Sequence, residues 1–323
     1  MKKIELPVIE PRVEKVGDER VSGPARPQYK HRPDEAGPRP RWIRTRFSMN
    51  RDFFETKQLV QDAKLHTICE SGQCPNIGEC WSRKTLTIMI LGNVCTRSCG
   101  FCDVQTGRPG AVDPDEPRRV AETLAGLDLN YVVVTSVDRD DLDDGGASVW
   151  AETIRRCKEL APEMGLEVLT PDFKGDLDAL DEVLAAGPDC WSHNIETVEP
   201  LHRMVRPQAR YERSLAVLRH AAERGNTLVK SGLMVGLGET NEQVLETMRD
   251  LVEAGVEVFN VGQYLRPSDR HLPVMRWVTP DEFEMYEREG VAMGFKHVEA
   301  GPLVRSSYHA DKQAERVAES AAQ

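Results

Sequence analysis

The feature that most constrains the fold of this chain is a regular alternation, after residue 85, between short apolar runs and helical patterns. The apolar runs are rich in β-branched residues and read LTIMILG, YVVVTSV, LEVLT, CWSHNIE, LVKSGLMVG and VEVFNVGQYL. Continuous apolar runs of this length are typical of buried strands in a parallel sheet that is covered on both faces. The sequence therefore predicts a parallel sheet with helices on its faces.

The segments between these runs have the apolar spacing of amphipathic helices. They read PRRVAETLAGL, ASVWAETIRRCKEL, DLDALDEVLAAG, RSLAVLRHAAERG and NEQVLETMRDLVEAG, and three of them end at a glycine (Gly187, Gly225 and Gly255). Strand starts recur about every 25–40 residues, the length of one βα unit. Six such units predict an α/β fold, a partial parallel (β/α)6 TIM-like barrel with N-terminal and C-terminal extensions.

Residues 1–41 are rich in proline and charge, and we expect them to form a flexible N-terminal arm. Residues 1–51 carry 13 Lys and Arg against 7 Asp and Glu, although the whole chain has a net charge of −11. That overall charge argues against nucleic-acid binding, whereas the basic arm leaves two alternatives open, an acidic protein partner or an ordinary solvated tail. No apolar run is long enough to span a bilayer, and the start of the chain lacks the apolar core of a signal peptide. The sequence thus predicts a cytoplasmic protein with neither a nucleic-acid nor a membrane partner.

Six of the eight cysteines lie between residues 69 and 102, a clustering that favours metal binding over disulfides in a reducing compartment. Cys95, Cys99 and Cys102, here called the barrel set, have the spacing C-x3-C-x2-C directly after the first predicted strand. Zinc sites and ferredoxin clusters are normally closed by four ligands. Three thiolates would instead leave one iron of a cubane open to an exogenous ligand.

Cys69, Cys74 and Cys80, here called the N-terminal set, are also three in number and have the spacing C-x4-C-x5-C. The two sets together indicate two iron–sulfur cubanes, each one cysteine short. From the spacing alone, the role of this further cubane stays open between electron relay, substrate binding and sulfur supply.

The barrel set in its βα context resembles that of the radical S-adenosylmethionine (SAM) superfamily, in which SAM binds the open iron. The stretches CPNIGECW, CTRSCGFCDV, TSVDRDDL, HNIETV, SGLMVGLGET and VRSSYHAD together resemble the lipoyl synthase family of that superfamily. The resemblance implies an auxiliary-cluster segment at 42–84, a radical SAM core at 85–275, and a C-terminal extension at 276–323 that carries the RSSY motif.

The resemblance further implies a sulfurtransferase that uses two 4Fe–4S clusters and SAM to insert sulfur at C6 and C8 of protein-bound N6-octanoyl-lysine. The auxiliary cluster, on Cys69, Cys74, Cys80 and Ser307, would donate the sulfur, and Ser306 is the alternative serine. No catalytic residue beyond the cluster ligands is implied. The implied partners are octanoylated lipoyl-carrier domains (2-oxo acid dehydrogenase E2 subunits and the glycine cleavage H protein), an electron donor such as ferredoxin or flavodoxin, and an iron–sulfur carrier for cluster rebuilding.

Asn194 and Glu196 close a predicted strand and are candidate SAM contacts, as is Gly236 in a turn similar to the superfamily's glycine-containing turn near adenine. The acidic stretch VDRDDLDD is either part of the site or a solvated loop, and Arg139 and Arg305 are candidate partners for a carboxylate. Ordinary hydrogen bonding or packing is expected for the remaining candidates: His193, His202, His271, Cys157 and Cys190.

Three other functions stay open from the sequence. An electron carrier would need two closed clusters, and a zinc-binding interaction module would be colourless. Another radical SAM enzyme that inserts sulfur, similar to biotin synthase or the methylthiotransferases, would share the barrel set. The C-x4-C-x5-C spacing together with the RSSY motif separates the lipoyl synthase family from these enzymes.

Overall fold

The structure is a computed structural model that describes residues 33–44, 49–83, 85–127 and 129–321. Strands and helices alternate along most of these residues. The strands are β1 (His66–Thr67), β2 (Thr87–Ile90), β3 (Val94–Cys95), β4 (Gln105–Thr106), β5 (Tyr131–Ser136), β6 (Gly165–Leu169), β7 (Cys190–Ser192), β8 (Leu228–Val235), β9 (Val258–Gln263) and β10 (His297–Gly301).

Eight of these strands form one sheet in the order β1-β2-β5-β6-β7-β8-β9-β10, and β3 and β4 form a separate pair. Every neighbouring pair from β2 to β10 is parallel, whereas β1 pairs with β2 in the antiparallel direction. The six predicted strands are β2, β5, β6, β7, β8 and β9, so the expected partial parallel barrel is confirmed. The pattern does not predict β1 or β10, because β1 has two residues and β10 (HVEAG) lacks an apolar run.

The helices have the following bounds: α1 (Arg51–Asp62), α2 (Ile68–Ser71), α3 (Ile77–Ser82), α4 (Glu116–Ala125), α5 (Ala147–Leu160), α6 (Leu177–Ala185), α7 (Glu199–Val205), α8 (Tyr211–Arg224), α9 (Asn241–Glu253), α10 (Pro280–Met293) and α11 (Ala310–Ala321). The five predicted helices are α4, α5, α6, α8 and α9. The glycine after α8, Gly225, has a φ of +67°, a conformation that favours glycine over other residues.

The core lies on both faces of the sheet. All residues of β2 and β9 are buried, which is the consequence of continuous apolar runs in a sheet with two covered faces. On the outer face, α5 buries Trp150, Ile154 and Cys157, which share one side of the helix. Cys157 is therefore a packing residue, as predicted, and Cys190 in β7 is likewise buried.

The end of the predicted flexible arm lies against the barrel. Asp34 Oδ1 accepts a hydrogen bond from the N–H of Val274 at 2.9 Å, and the Ala36 N–H donates to the carbonyl of Val274 at 3.1 Å. This part of the arm is therefore held in place, whereas residues 1–32 lie outside the described residues. Over the described ranges, no helix is both long enough and apolar enough to cross a membrane.

Candidate active site

A large cavity lies at the carboxyl ends of the parallel strands. Its volume is about 490 Å³, and it is lined by residues that follow β2, β5, β6, β7 and β9 together with the RSSY motif. Parallel α/β folds place their ligands at this end of the sheet. A small cavity lies beside the large one, and the following residues line both: Cys69, Cys74, Thr87, Arg305 and Ser307.

All three cysteines of the barrel set line the large cavity. Cys95 ends β3, and its sulfur accepts hydrogen bonds from the backbone N–H of Arg97 at 3.4 Å and of Asp138 at 3.3 Å. The loop then turns sharply, because the Cys102 N–H donates to the Cys99 carbonyl at 3.2 Å. Donors aimed at a cysteine sulfur stabilise its negative charge and tune a cluster that it binds.

Arg97, inside the barrel set, ties this loop to the ends of β5 and β6. Its guanidinium donates two hydrogen bonds to Asp140, at 2.7 and 2.8 Å, and one to Asp172 at 2.6 Å. Asp138 lies 3.2 Å from the same group, and Arg213 binds the other oxygen of Asp172 at 2.7 Å. Burial opposes ionisation of Asp172, but its contacts with Arg97 and Arg213 keep the pKa of this carboxyl below its ordinary value. Of the acidic stretch after β5, Val137 and Asp138 line the large cavity and Asp140 holds Arg97, whereas Asp141 and Asp143 are exposed.

The N-terminal set is carried by two short helices outside the barrel and by the turn between them, which holds Cys74. α2 holds Cys69, whose carbonyl accepts a hydrogen bond from the Cys74 N–H at 3.0 Å. α3 holds Cys80, and the next residue, Trp81, packs against Phe53 of α1 with 5.5 Å between the ring centroids. All three cysteines of this set border the small cavity.

The two serines of the RSSY motif both line the large cavity, but only Ser307 also lines the small one. Ser307 lines the small cavity with the N-terminal set, and its hydroxyl oxygen accepts a hydrogen bond from the Thr87 hydroxyl at 2.9 Å. Ser306 lines the large cavity, where its oxygen accepts from the side-chain amide of Asn194 at 2.6 Å. Of the two candidate serines, only Ser307 thus shares the small cavity with the three cysteines.

Burial raises the pKa of the Cys69, Cys80 and Cys99 thiols to about 12, and it also raises the pKa of Cys95. A buried thiolate is costly unless a cation compensates its charge, and neighbouring thiols add to the cost. Among the residues that the structure describes, no three His, Cys, Asp or Glu side chains are close enough together to hold a single metal ion. Two groups of three thiols around cavities instead fit iron–sulfur clusters, in which each cysteine binds a different iron.

Two of the three candidate SAM contacts lie in the large cavity. Asn194 and Glu196 follow β7, and their side chains are joined by a hydrogen bond of 3.0 Å. Glu196 has a φ of +66°, an uncommon conformation for a residue other than glycine, and burial raises the pKa of its carboxyl. Gly236 lies outside the lining of this cavity. Its N–H donates to Glu239 at 2.5 Å, and a side chain at Gly236 would collide with Gln263, so the turn itself explains this glycine.

Arg206 is a site residue that the sequence analysis missed. It is buried in the wall of the large cavity, and its guanidinium donates to the carbonyls of Asn194 at 2.9 Å and Ile195 at 3.3 Å. Its Nε has no hydrogen-bond partner within the described part of the chain. A buried cation with a free donor can bind the carboxylate of a ligand. Arg206 lies outside the stretches that carry the family resemblance, and an isolated arginine in a sequence gives no sign of its burial beside a cavity.

Two of the three candidate histidines have hydrogen-bond partners in the described structure. His193 contacts the carbonyl of Thr170 and the hydroxyl of Ser214, both at 3.0 Å, and His271 contacts the carbonyl of Cys102 at 3.1 Å. These two histidines therefore make the ordinary hydrogen bonds predicted for them. That prediction is wrong for Nε2 of His202, which is buried without a partner among the described residues.

The two arginines proposed as carboxylate partners differ. Arg139 forms an ion pair with Asp141 at 2.9 Å. Arg305 donates to the carbonyl of its neighbour Val304 at 2.6 Å and lies in the wall between the cavities. Burial lowers the pKa of Arg305, since this wall separates its guanidinium from water.

Comparison with known proteins bears on this site. A family model described as the Radical SAM superfamily matches residues 89–251. The lipoyl synthase of Rubrobacter xylanophilus is 56% identical over 86% of this chain and 87% of its own length. The lipoyl synthase of Thermus thermophilus is 55% identical over 85% of this chain and 86% of its own length. The mitochondrial lipoyl synthase of Nematostella vectensis is 50% identical over 85% of this chain and 94% of its own length.

Solved structures share the fold at low sequence identity. The FeFe-hydrogenase maturase HydG of Carboxydothermus hydrogenoformans aligns with a TM-score of 0.51 and 14% identity over 83% of this chain and 78% of its own. Methylornithine synthase (PylB) aligns with a TM-score of 0.50 and 14% identity over 85% of this chain and 94% of its own. The sequence relatives and the superfamily match show that this chain belongs to the lipoyl synthase family of radical SAM enzymes.

Proposed function

We propose that this enzyme inserts two sulfur atoms into an octanoyl chain that is attached to a lysine of a lipoyl-carrier domain, at C6 and C8. Two C–H bonds of the chain break and two C–S bonds form. The observation that supports the proposal is the wall shared by the two cavities, which brings Cys69, Cys74 and Ser307 of the small cavity beside the cavity that holds the barrel set.

The residues present fit two clusters and SAM. Cys95, Cys99 and Cys102 would hold one cluster; the N-terminal set and Ser307 would hold the auxiliary cluster. When bound, SAM with the first cluster would supply a 5′-deoxyadenosyl radical, and the auxiliary cluster would supply sulfide. An aliphatic C–H bond offers no acidic proton to a general base, so a radical is the reagent that suits it.

The chain's own residues would bind and orient the reactants. The Arg206 guanidinium, with its free Nε, can pair with the SAM carboxylate, and Asn194 with Glu196 can hydrogen-bond the SAM amino or ribose groups. Apolar side chains in the same wall, including Leu233 and Met234, suit an octanoyl chain and exclude water. The proposed partners are the E2 and H-protein carrier domains, a ferredoxin or flavodoxin as electron donor, and an iron–sulfur carrier.

The test uses anaerobically reconstituted enzyme with SAM, a reductant and an octanoyl-lysine peptide. Mass spectrometry should show stepwise gain of two sulfurs, and the protein should contain about eight irons and eight sulfides per chain. The triple variant C69A/C74A/C80A should still form 5′-deoxyadenosine but no sulfurated peptide.

The matched variant C95A/C99A/C102A should lose both products, because it lacks the cluster that binds SAM. An enzyme that cleaves SAM but never sulfurates the peptide would contradict the proposed substrate and leave only the superfamily membership. A colourless protein would support the zinc alternative instead.

A further inference from the structure

Thr87, the first residue of β2, lies among ligand candidates that come from both ends of the chain. Its hydroxyl donates a hydrogen bond to the Ser307 hydroxyl oxygen at 2.9 Å. The side chain is 4% exposed and borders both cavities, as Cys69 does. One residue of the barrel therefore contacts the serine of the RSSY motif at the cavity that Cys69 of the N-terminal set also lines.

The strand itself does not require a hydroxyl at this position. Thr87 pairs with Val133 of β5, and the residues that follow it in β2 are apolar and buried. Valine has the same branched shape and the same preference for strands. Within the described chain, Ser307 is the hydrogen-bond partner of the Thr87 hydroxyl, so the polar atom is explained by that contact.

The backbone of the RSSY motif is fixed by other contacts. Asn260 Nδ2 donates to the Ser306 carbonyl at 2.9 Å, and the Tyr308 N–H donates to the Arg305 carbonyl at 2.9 Å. These bonds leave the Ser307 side chain free to choose among its staggered rotamers. The bond from Thr87 restricts the Ser307 side chain to a rotamer that brings its oxygen within 2.9 Å of the Thr87 hydroxyl.

We propose that Thr87 is a positioning residue for the fourth ligand of the auxiliary cluster, and this inference rests on the function proposed above. Its hydroxyl holds the Ser307 oxygen in the orientation that binds iron. A serine oxygen has two lone pairs and can accept from Thr87 through one of them while it binds iron through the other. The bond thereby sets how firmly the serine-bound iron is retained.

The test measures iron released to a colorimetric chelator from the anaerobically reconstituted enzyme. Thr87→Val removes the donor and keeps the shape of the side chain, and Thr87→Ser keeps the donor. Loss of one iron per chain should be about tenfold faster in T87V than in the wild type, since a hydrogen bond to a charged group is lost. T87S should match the wild type.

A double-mutant cycle with Ser307→Ala separates positioning from general loosening of the fold. If Thr87 acts through Ser307, T87V/S307A should release iron at the rate of S307A alone. Equal acceleration by T87V in both backgrounds would overturn the inference, as would wild-type release from T87V. Thr87→Ala removes the hydroxyl without adding bulk, and it provides the same comparison should T87V fold poorly.

Failure of the inference is distinguishable from failure of the proposed function. A wild-type protein with about four irons per chain would lack the auxiliary cluster and refute the function itself. A protein with about eight irons whose release does not depend on Thr87 would refute only the role of this residue.

Discussion

The barrel set and the N-terminal set border neighbouring cavities, but different kinds of structure hold them. The barrel set lies at the end of β3 and in the loop that leads to β4. Arg97 ties that loop to the buried Asp172 and the half-buried Asp140 at the ends of two strands. The N-terminal set lies on two short helices and the turn between them, and its fourth candidate ligand comes from residue 307.

The two sites therefore differ in how firmly the surrounding structure holds them. The barrel set is held by charge-assisted hydrogen bonds in a buried setting, which are among the strongest contacts a protein makes. The small cavity depends on the docking of two distant segments, and its linking contacts from Glu79 to the RSSY region are long and partly exposed. A site proposed to give up sulfide and be rebuilt would benefit from the looser support.

The largest expected effect comes from removing the Arg97 contacts. Arg97→Met should lower the free energy of unfolding by about 3–5 kcal/mol, because the fully buried Asp172 loses one of its two arginine partners. The half-buried Asp138 and Asp140 lose their contact with Arg97 as well. Reconstituted R97M should also hold about four irons per chain rather than eight, with the barrel set empty. Thermal unfolding and iron analysis measure both.

The control is Arg288→Met, since Arg288 is exposed and pairs only with the adjacent Glu289 in the described structure. It should change stability by less than about 0.5 kcal/mol. If R97M and R288M lowered the free energy of unfolding equally, the claim that the Arg97 contacts give the barrel set its firmer support would be contradicted.

A loss of stability of intermediate size is expected when the pH is lowered, and it arises in the barrel part of the molecule. Burial and the nearby Arg206 lower the pKa of His202 to about 4, against an ordinary value of 6.5. The unfolded chain therefore binds more protons between these values, so stability falls as pH falls from about 6.5 to about 4. His202 should therefore lower the free energy of unfolding of the wild type by about 2 kcal/mol when the pH falls from 7 to 5.

His202→Gln should remove that share of the pH dependence, although it also loses the edge contact with Tyr211 at every pH. The measured quantity is the difference in apparent Tm between pH 7 and pH 5. If the difference in apparent Tm between pH 7 and pH 5 were equal in the wild type and in H202Q, the assignment of this pH dependence to His202 would be contradicted.

The smallest effect is expected at the N-terminal set. Glu79 precedes Cys80 and lies 3.4 Å from the Tyr308 hydroxyl and 3.6 Å from His309 Nε2. Because these contacts are partly exposed, Glu79→Gln should cost at most about 1 kcal/mol. Amide hydrogen exchange should become up to severalfold faster around residue 308 and stay unchanged in the barrel-set loop. Glu289→Gln is the control; faster exchange in both regions would show that they are coupled.

The repeating βα units could be predicted from the sequence, whereas contacts between distant segments could not. Each βα unit has its own apolar pattern, so the six strands and five helices follow from local periodicity. β1 and β10 lack such a pattern and are strands because of the neighbours they pair with. The thiol sets could be found from spacing, but the roles of Arg97 and Thr87 depend on partners far along the chain. Arg206 has partners only 12 and 11 residues away, but no motif marks it. Ser307 came from family resemblance alone.

The joining of Thr87 to Ser307 across 220 residues has a consequence for how the protein is made. A ribosome delivers the chain from the N-terminus, so the cysteines of α2 and α3 emerge long before the serine that would complete their cavity. A cluster delivered during translation would meet three thiols and an open side, and maturation of this site is therefore expected to follow synthesis of the RSSY segment.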